Sequence, residues 1–370
     1  MKKIEIPTPA LIVDFEILNG NIKEMADRAE NAGKNLRPHI KTHKIPYIAH
    51  MQIRAGAMGI ACAKLGEAEI MAAGGIEDIF IAYPIIGDDK VERLLNLARW
   101  VPKISTSVDT YAAMHALNQA AVARGQCLDV IVEIEAGYNR TGVLPDDNLV
   151  RFVKEINSLP GLSYKGLMYM AGGIGDSIEY EDQLKAEVVG SKVAAKAVQL
   201  LKENGIMTEV VGGGSTPGSV FMDKIDDAVT EYRPGCYVFG DVRYADMGAV
   251  PIERLALTIL ATVVSIPDVP DPKRFVTDAG SKTLTHMPGI TSPGYGTIAQ
   301  NPDLFIRSPS EEHGIVDIYS DGVKIPAIGE KIDIWPNYVS DTVNYFEKMW
   351  VVQQDEVIAE WDILARGKSV

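Results

Sequence analysis

The chain has 370 residues, 46% of them apolar and 23% charged, enough for one large domain and a smaller one around an ordinary core. Fifty acidic side chains against 36 basic ones leave a formal charge of −14, which argues against nucleic acid and anionic membrane surfaces as partners. Three distant cysteines, Cys62, Cys127 and Cys236, read as reduced thiols, and neither a signal-peptide run nor a spanning stretch of about 18 apolar residues occurs, so a soluble cytoplasmic protein is expected.

In chain order, Ala10–Asp14 is strand-like, and Glu16–Ala32 carries apolar residues at helical spacing before Gly33. Leu36–Ile40 and Ala57–Ala61 follow as strands, then a helix over Gly66–Ala73. Further strands are expected at Asp78–Tyr83, Ile104–Val108, Leu128–Glu135, Tyr164–Met170 and Glu209–Val211. Helical patterns fill the gaps at Asp89–Ala98, Tyr111–Ala123, Asn148–Asn157 and Asp182–Asn204. The strands are continuously apolar, as parallel strands covered on both faces are. Eight strand–helix units predict an α/β fold of the (β/α)8 TIM-barrel type over residues 10–245. An open doubly wound sheet would place a glycine-rich turn after its first strand, and Asp14–Leu18 has no glycine.

Beyond residue 245 the texture changes. Arg254–Ser265, Phe275–Ala279, Gly314–Tyr319, Lys331–Trp335 and Lys348–Gln353 read as short strands without long helices between them, with proline-rich turns at Pro267–Pro272. Residues 246–370, joined by residues 1–9, are expected to form an antiparallel β domain.

The segment Leu36-Arg37-Pro38-His39-Ile40-Lys41-Thr42-His43-Lys44 packs three cations and two imidazoles together. One reading is a basic loop. The other is a lysine whose proton affinity is lowered by its neighbours and by desolvation, suited to attack an aldehyde. His39 and His43 flank Lys41, and only one of them is expected to face a pocket. In a barrel, chemistry gathers at the C-terminal ends of strands. Lys41, Glu133–Gly142, Tyr169, Gly212–Pro217 and Tyr232–Tyr237 all fall there. Gly212-Gly213-Gly214-Ser215-Thr216 reads as a phosphate seat or, more simply, as a tight turn. A phosphate seat, a reactive lysine and a Tyr/Arg pair together suggest pyridoxal 5′-phosphate. His50 and His115 read as structural or surface residues, and Glu24, Asp27 and Glu30 as a solvated helix face.

These motifs resemble the D-threonine aldolase and D-serine dehydratase family, whose barrel is similar to the N-terminal domain of alanine racemase. The likeness runs nearly end to end, through Thr8-Pro9-Ala10, Arg37–Lys44, Arg140-Thr141-Gly142, Gly212–Pro217, Arg233-Pro234-Gly235, Asp278–Lys282 and Glu311–Gly314. The resemblance implies that Lys41 holds the cofactor as a Schiff base, Arg140 lies near its phenolic oxygen and Tyr169 near its ring nitrogen. The full set of expected cofactor contacts is Lys41, His39, Arg140, Tyr169, Gly213, Gly214, Ser215, Thr216, Gly235, Cys236 and Tyr237. The expected catalytic groups are Lys41, Tyr338 and His286. The implied activity is a lyase on a small-molecule β-hydroxy D-amino acid, by aldol cleavage or deamination, in a homodimer.

One departure matters. The family places metal ligands in Pro-Asn-His-x-Cys or Pro-Asn-His-x-Asp, whereas this chain reads Pro336-Asn337-Tyr338-Val339-Ser340-Asp341. Phenol and hydroxyl are poor substitutes for imidazole and thiolate, so no metal ligand is expected there. Asp341, one residue out of register on a strand, holds an ion only if the backbone shifts. Tyr338 is then either a packed aromatic or an acid/base. The latter supports an alternative, a metal-independent racemase or epimerase with Lys41 and Tyr338 as opposed bases.

Overall fold

Apolar runs in the first two thirds of the chain become strands β1 (Ala10–Asp14), β2 (Asn35–Leu36), β3 (Ile60–Cys62), β4 (Asp78–Pro84), β5 (Lys103–Val108), β6 (Leu128–Glu133), β7 (Leu162–Met168), β8 (Val210–Gly213) and β9 (Glu231–Tyr232). They belong to a computed structural model that describes residues 1–175, 177–268, 273–319 and 322–370; part of the turn expected at Pro267–Pro272, residues 269–272, lies outside the described residues. Among the described residues, β2 to β9 pair in parallel in the order β2-β9-β8-β7-β6-β5-β4-β3. The ring closes just beyond β2, where His39 bridges Ala61. There Ala61 N–H donates to Pro38 O at 2.8 Å, and Ile40 N–H donates to Ala61 O at 2.9 Å. Ala61, Phe80, Ile131 and Met168 from four different staves form one apolar cluster of the barrel unit.

The expected (β/α)8 barrel is present, but its membership differs from the sequence reading by one strand at each end. β1 pairs with the later strands Leu257–Ser265, antiparallel, and Lys348–Gln353, parallel. Glu231–Tyr232 supplies the missing stave, pairing with β8 and β2. Ala10 to Val13 are buried whichever face is considered, so their pattern fits either sheet. A two-residue strand gives no apolar run to detect. The chain divides into two compact units, Lys23–Gly235 with Gly367–Val370, and Met1–Ile22 with Cys236–Arg366. The helix over Tyr111–Ala123 falls where its spacing predicts, capped by Thr110, whose hydroxyl accepts from Ala113 N–H at 3.3 Å. A helix over Pro46–Arg54 was hidden by the charged segment before it; Pro46 begins it, where a missing N–H costs nothing.

The second unit holds β1 with β10 (Leu257–Ser265), β11 (Lys273–Thr277), β12 (Gly296–Ile298), β13 (Ile306–Pro309), β14 (Gly314–Ile318), β15 (Lys331–Pro336), β16 (Lys348–Gln353) and β17 (Glu356–Asp362). They form one sheet along β13-β14-β11-β10-β1-β16-β17, with β15 joining β10 to β12. Ile6, Ala10, Ile12, Leu260 and Val352 pack together on it, with Trp350 and Val357 against them. Its pairing is antiparallel apart from β1 with β16. No helix among the described residues is long and apolar enough to cross a membrane.

Inside the barrel Arg37 ties three staves. From the chain just past β2, its Nε donates to Glu231 on β9 at 2.7 Å and one Nη to Asp78 on β4 at 2.5 Å. Burial works against this cation, but the two carboxylates outweigh it and raise its pKa. An Arg37→Ala variant would leave the Glu231 carboxylate, 4% exposed, without its cation. We expect a loss of about 3–5 kcal/mol in urea unfolding, whereas a loss under about 1 kcal/mol would reduce the network to the value of a surface pair.

Candidate active site

The charged segment after β2 resolves its crowding by pointing its cations apart. Arg37 is turned to Glu231 and Asp78. Lys44, at a left-handed φ of 58°, turns its ammonium to Glu67 at 3.4 Å, both side chains buried. His43 is fully buried, facing Gln52 Oε1 through Nε2 at 3.2 Å while Nδ1 accepts from Ile45 N–H at 3.1 Å. Burial drives its pKa down to about 3, so it is a neutral structural group. Lys41 alone among these cations is exposed at the barrel's C-terminal mouth. Its backbone N–H donates to His39 Nδ1 at 3.3 Å. Burial first, then the charges of Lys41, Arg233 and Arg140, hold His39 neutral well below the usual imidazole range. His39, not His43, is therefore the histidine that shares this mouth with Lys41.

The β6 loop brings Arg140 to the same place. Its guanidinium lies 3.6 Å from the buried Glu133 carboxylate and stacks 4.8 Å from the centre of the Tyr138 ring. Arg233, which follows β9, is buried. It donates to Gly212 O at 3.2 Å and packs 5.3 Å from the Phe80 ring centre. Burial lowers its pKa, against which the Glu231 and Glu133 carboxylates work. Arg233 belongs to the Arg233-Pro234-Gly235 motif, and nothing in that motif shows that it is buried beside Glu231 and Glu133.

Beyond β8 the chain enters Gly212–Thr216. Gly214 has a φ of 91°, which favours glycine. A Cβ added at Gly213 would fall against the Tyr169 ring, and one at Gly214 against the Tyr232 ring. The two glycines thus let the loop lie directly on two aromatic faces. Ser215 Oγ accepts from Gly218 N–H at 3.2 Å, and Thr216 Oγ1 from Gly235 N–H at 3.3 Å. Gly235 also sits beside the His39 carbonyl and Thr42 Oγ1, so it joins the lysine segment to the glycine loop.

Under this loop lies a buried acid that the sequence reading passed over. Glu187 is on the helix Tyr180–Glu203, whose buried residues include Gln183, Glu187, Gly190, Ser191, Ala194 and Ala197. That inward stripe of small and polar residues at helical spacing is the signal that could have found it. Tyr232 Oη donates to Glu187 Oε1 at 2.5 Å, while Glu187 Oε2 and Tyr169 Oη are buried without a hydrogen-bond partner. Burial raises the Glu187 pKa to about 7, although the Tyr232 hydrogen bond pulls it down. An unpartnered buried phenol beside a glycine loop that bears no side chains offers a hydroxyl and backbone amides to a phosphorylated heteroaromatic group, so these residues fit pyridoxal phosphate.

The remaining expected residues lie in the second unit. Cys236 and Tyr237 are buried in a short 3-10 turn, and the Cys236 thiol is 3.4 Å from Ser340 Oγ. Tyr338 caps a helix over Val339–Tyr345, its ring 6.4 Å from that of Tyr244. The strand argument for Asp341 therefore fails, because the segment is helical; Asp341 accepts from Thr285 Oγ1 at 3.1 Å. His286 is exposed next to that threonine. The charge of Cys236, then burial, pushes the Tyr338 phenol up, so it stays protonated. A protonated phenol and a hydroxyl do not suit a divalent ion, and no cluster of three His, Cys, Asp or Glu side chains among the described residues does so.

Residues 13–243 match the family described as alanine racemase, N-terminal domain, and residues 256–352 a serine dehydratase domain. The chain is 34% identical to D-threonine aldolase of an Arthrobacter species, over 98% of this chain and 94% of that one. It is 29% identical to D-threo-3-hydroxyaspartate dehydratase of a Delftia species, over 98% of each. The crystal structure of D-threonine aldolase from Filomicrobium marinum superposes with a TM-score of 0.91 at 34% identity, covering 99% of this chain and 98% of that one.

Glu187 also makes stability depend on pH. Its carboxyl titrates near 7 when folded against 4.5 ordinarily, so the folded state holds the proton in between. The stability it contributes is complete below pH 4.5 and is lost as pH rises through 7. Glu187→Gln has no such titration. Its unfolding free energy should fall less than that of the unaltered protein across this range, by on the order of 3 kcal/mol in urea unfolding. Parallel pH profiles would show that Glu187 is already ionised.

Proposed function

The chain belongs to the D-threonine aldolase and D-serine dehydratase family, and from that membership we propose that it is a pyridoxal-phosphate-dependent lyase acting on a β-hydroxy D-amino acid. The observation that carries this reading is the exposed Lys41 amine on the same barrel as the glycine loop and the unpartnered Tyr169 hydroxyl. Lys41 would hold the cofactor aldehyde, Gly213 to Thr216 with Gly235 its phosphate, Arg140 its phenolic oxygen and Tyr169 its ring nitrogen. When bound, the group supplies an electron sink for the pair released at Cα.

This chain's residues then handle protons. Aldol cleavage needs the β-hydroxyl proton removed as the aldehyde carbonyl forms. His39, whose Nδ1 accepts from the Lys41 backbone N–H, carries its proton on Nε2 when neutral, so we assign it a hydrogen-bond donor's role at this mouth and not that of the base. Lys41 returns a proton to Cα. Phenolic Tyr169, whose pKa burial raises further, would donate a hydrogen bond to the ring nitrogen and would not protonate it as a carboxylic acid does. The racemase alternative needs Tyr338 as a base, and a phenol held protonated is poorly suited to that role.

We further propose that turnover needs no divalent metal, because Tyr338 and Ser340 stand where the family has imidazole and thiolate or carboxylate. The working assembly we propose is a two-fold homodimer, the commonest closed form, in the cytoplasm. A −14 chain with an amino-acid substrate has no need of a nucleic-acid or membrane partner.

Purified protein should show a near-visible absorption band that borohydride removes, and Lys41→Ala should lack it. A reducible band surviving in that variant would sink the lysine assignment. Incubation with D-threonine should release acetaldehyde and glycine, or with D-serine an oxo acid and ammonia. Deuterium entering at Cα with inversion and no cleavage would instead establish the racemase. Dialysis against a chelator should leave the rate unchanged; activity lost and then restored by a divalent ion would overturn the metal-free reading. Light scattering should give the mass of two chains.

A further inference from the structure

Behind the glycine loop a hydrogen-bond relay runs from the loop backbone into the helix Tyr180–Glu203. The Ser215 amide is turned toward Tyr232 Oη, and Tyr232 Oη donates to Glu187 Oε1 at 2.5 Å. Glu187 Oε2, with no partner of its own, lies where a Cβ on Gly218 would go. The Tyr232 ring in turn occupies the place of a Gly214 side chain. Glu187 therefore sets the height of the Tyr232 ring, and that ring with its hydroxyl sets Gly214 and Ser215. A surface arrangement would let water perform this task; here Glu187 is fully buried, so the hydrogen bond to Tyr232 takes its place.

We propose that Glu187 is a positioning residue for the phosphate end of the cofactor site, acting through Tyr232 on the Gly214–Ser215 backbone. The proposal rests on the pyridoxal-phosphate reading above. It assigns to this helix a role that neither the lysine segment nor the glycine motif reveals. Glu187 touches no cofactor atom in this scheme. It determines whether the loop amides converge on one point, which matters for a phosphate and not for the ring that the phosphate carries. The raised carboxyl pKa is consistent with a group kept for its hydrogen bond and not for its charge.

Two ligands separate the roles. Pyridoxal 5′-phosphate and pyridoxal differ only in the phosphate, so the ratio of their dissociation constants measures the phosphate end alone. Apo-protein titrated with each, followed by absorption and by quenching of intrinsic fluorescence, gives that ratio without any turnover. In Glu187→Leu we expect the phosphorylated ligand to weaken by about tenfold while pyridoxal is unchanged. Glu187→Gln, which still accepts from Tyr232, should restore the ratio. Tyr232→Phe, which keeps the ring and loses the hydroxyl, should reproduce the leucine variant if that one does not fold. A ratio unchanged in both Glu187→Leu and Tyr232→Phe overturns the proposal, as does parallel weakening of both ligands, which marks a merely structural role. If the unaltered protein takes up neither ligand, the cofactor reading falls and this proposal with it.

Discussion

Closure of the barrel between Pro38–Ile40 and Ala61 is the constraint on which the site depends. Parallel strands cannot be joined by tight hairpins, so each stave reaches its neighbour through a helix and the ring closes only if its first and last members meet. Here they meet through two hydrogen bonds on either side of Ala61. The seam fixes His39 as a bridge residue, and Lys41 is two residues later. The lysine thus emerges beside the seam, where Arg37 ties the chain after β2 to β9 and β4. Closure of the ring and positioning of the amine are one event.

Much of this was legible because parallel strands are apolar on both faces and helices are not. That contrast marks most staves and the helix Tyr111–Ala123 within a few residues. It misplaces β1, because a strand buried on both faces looks alike in either sheet, and it misses β9, whose two residues carry no period. The site was readable where chemistry crowds into one stretch, as at Arg37–Lys44 and Gly212–Thr216. It was not readable where the partner comes from far along the chain. Nothing near Arg37 names Glu231 or Asp78, and nothing near Gly214 names Glu187.

The crowding argument for the lysine segment also needs restating in three dimensions. Like charges near one another in sequence need not repel when a twisting backbone sends them to different carboxylates. Arg37 and Lys44 take that route, and the positive φ of Lys44 is part of it. What remains at the mouth is an amine beside an imidazole that burial keeps uncharged. The pairing spends two cations on architecture and leaves one for chemistry.

The same logic applies to the acids. A buried carboxylate is costly unless something holds it, and each buried acid of the barrel has its own solution. Glu231 and Asp78 share Arg37, and Glu67 takes Lys44. Glu133 takes the Thr141 hydroxyl at 2.8 Å and lies near Arg140. Glu187 alone receives only a neutral phenol, and its pKa rises accordingly. A cation at that place would sit under the glycine loop and draw a phosphate downward into the floor. A neutral hydrogen-bonded pair leaves the loop backbone as the attractive surface, with the positive charge of Lys41, Arg140 and Arg233 gathered around His39. Arg233 meanwhile holds the Gly212 carbonyl at the start of the loop, so the cations approach it from the side of His39 and not from beneath Gly214.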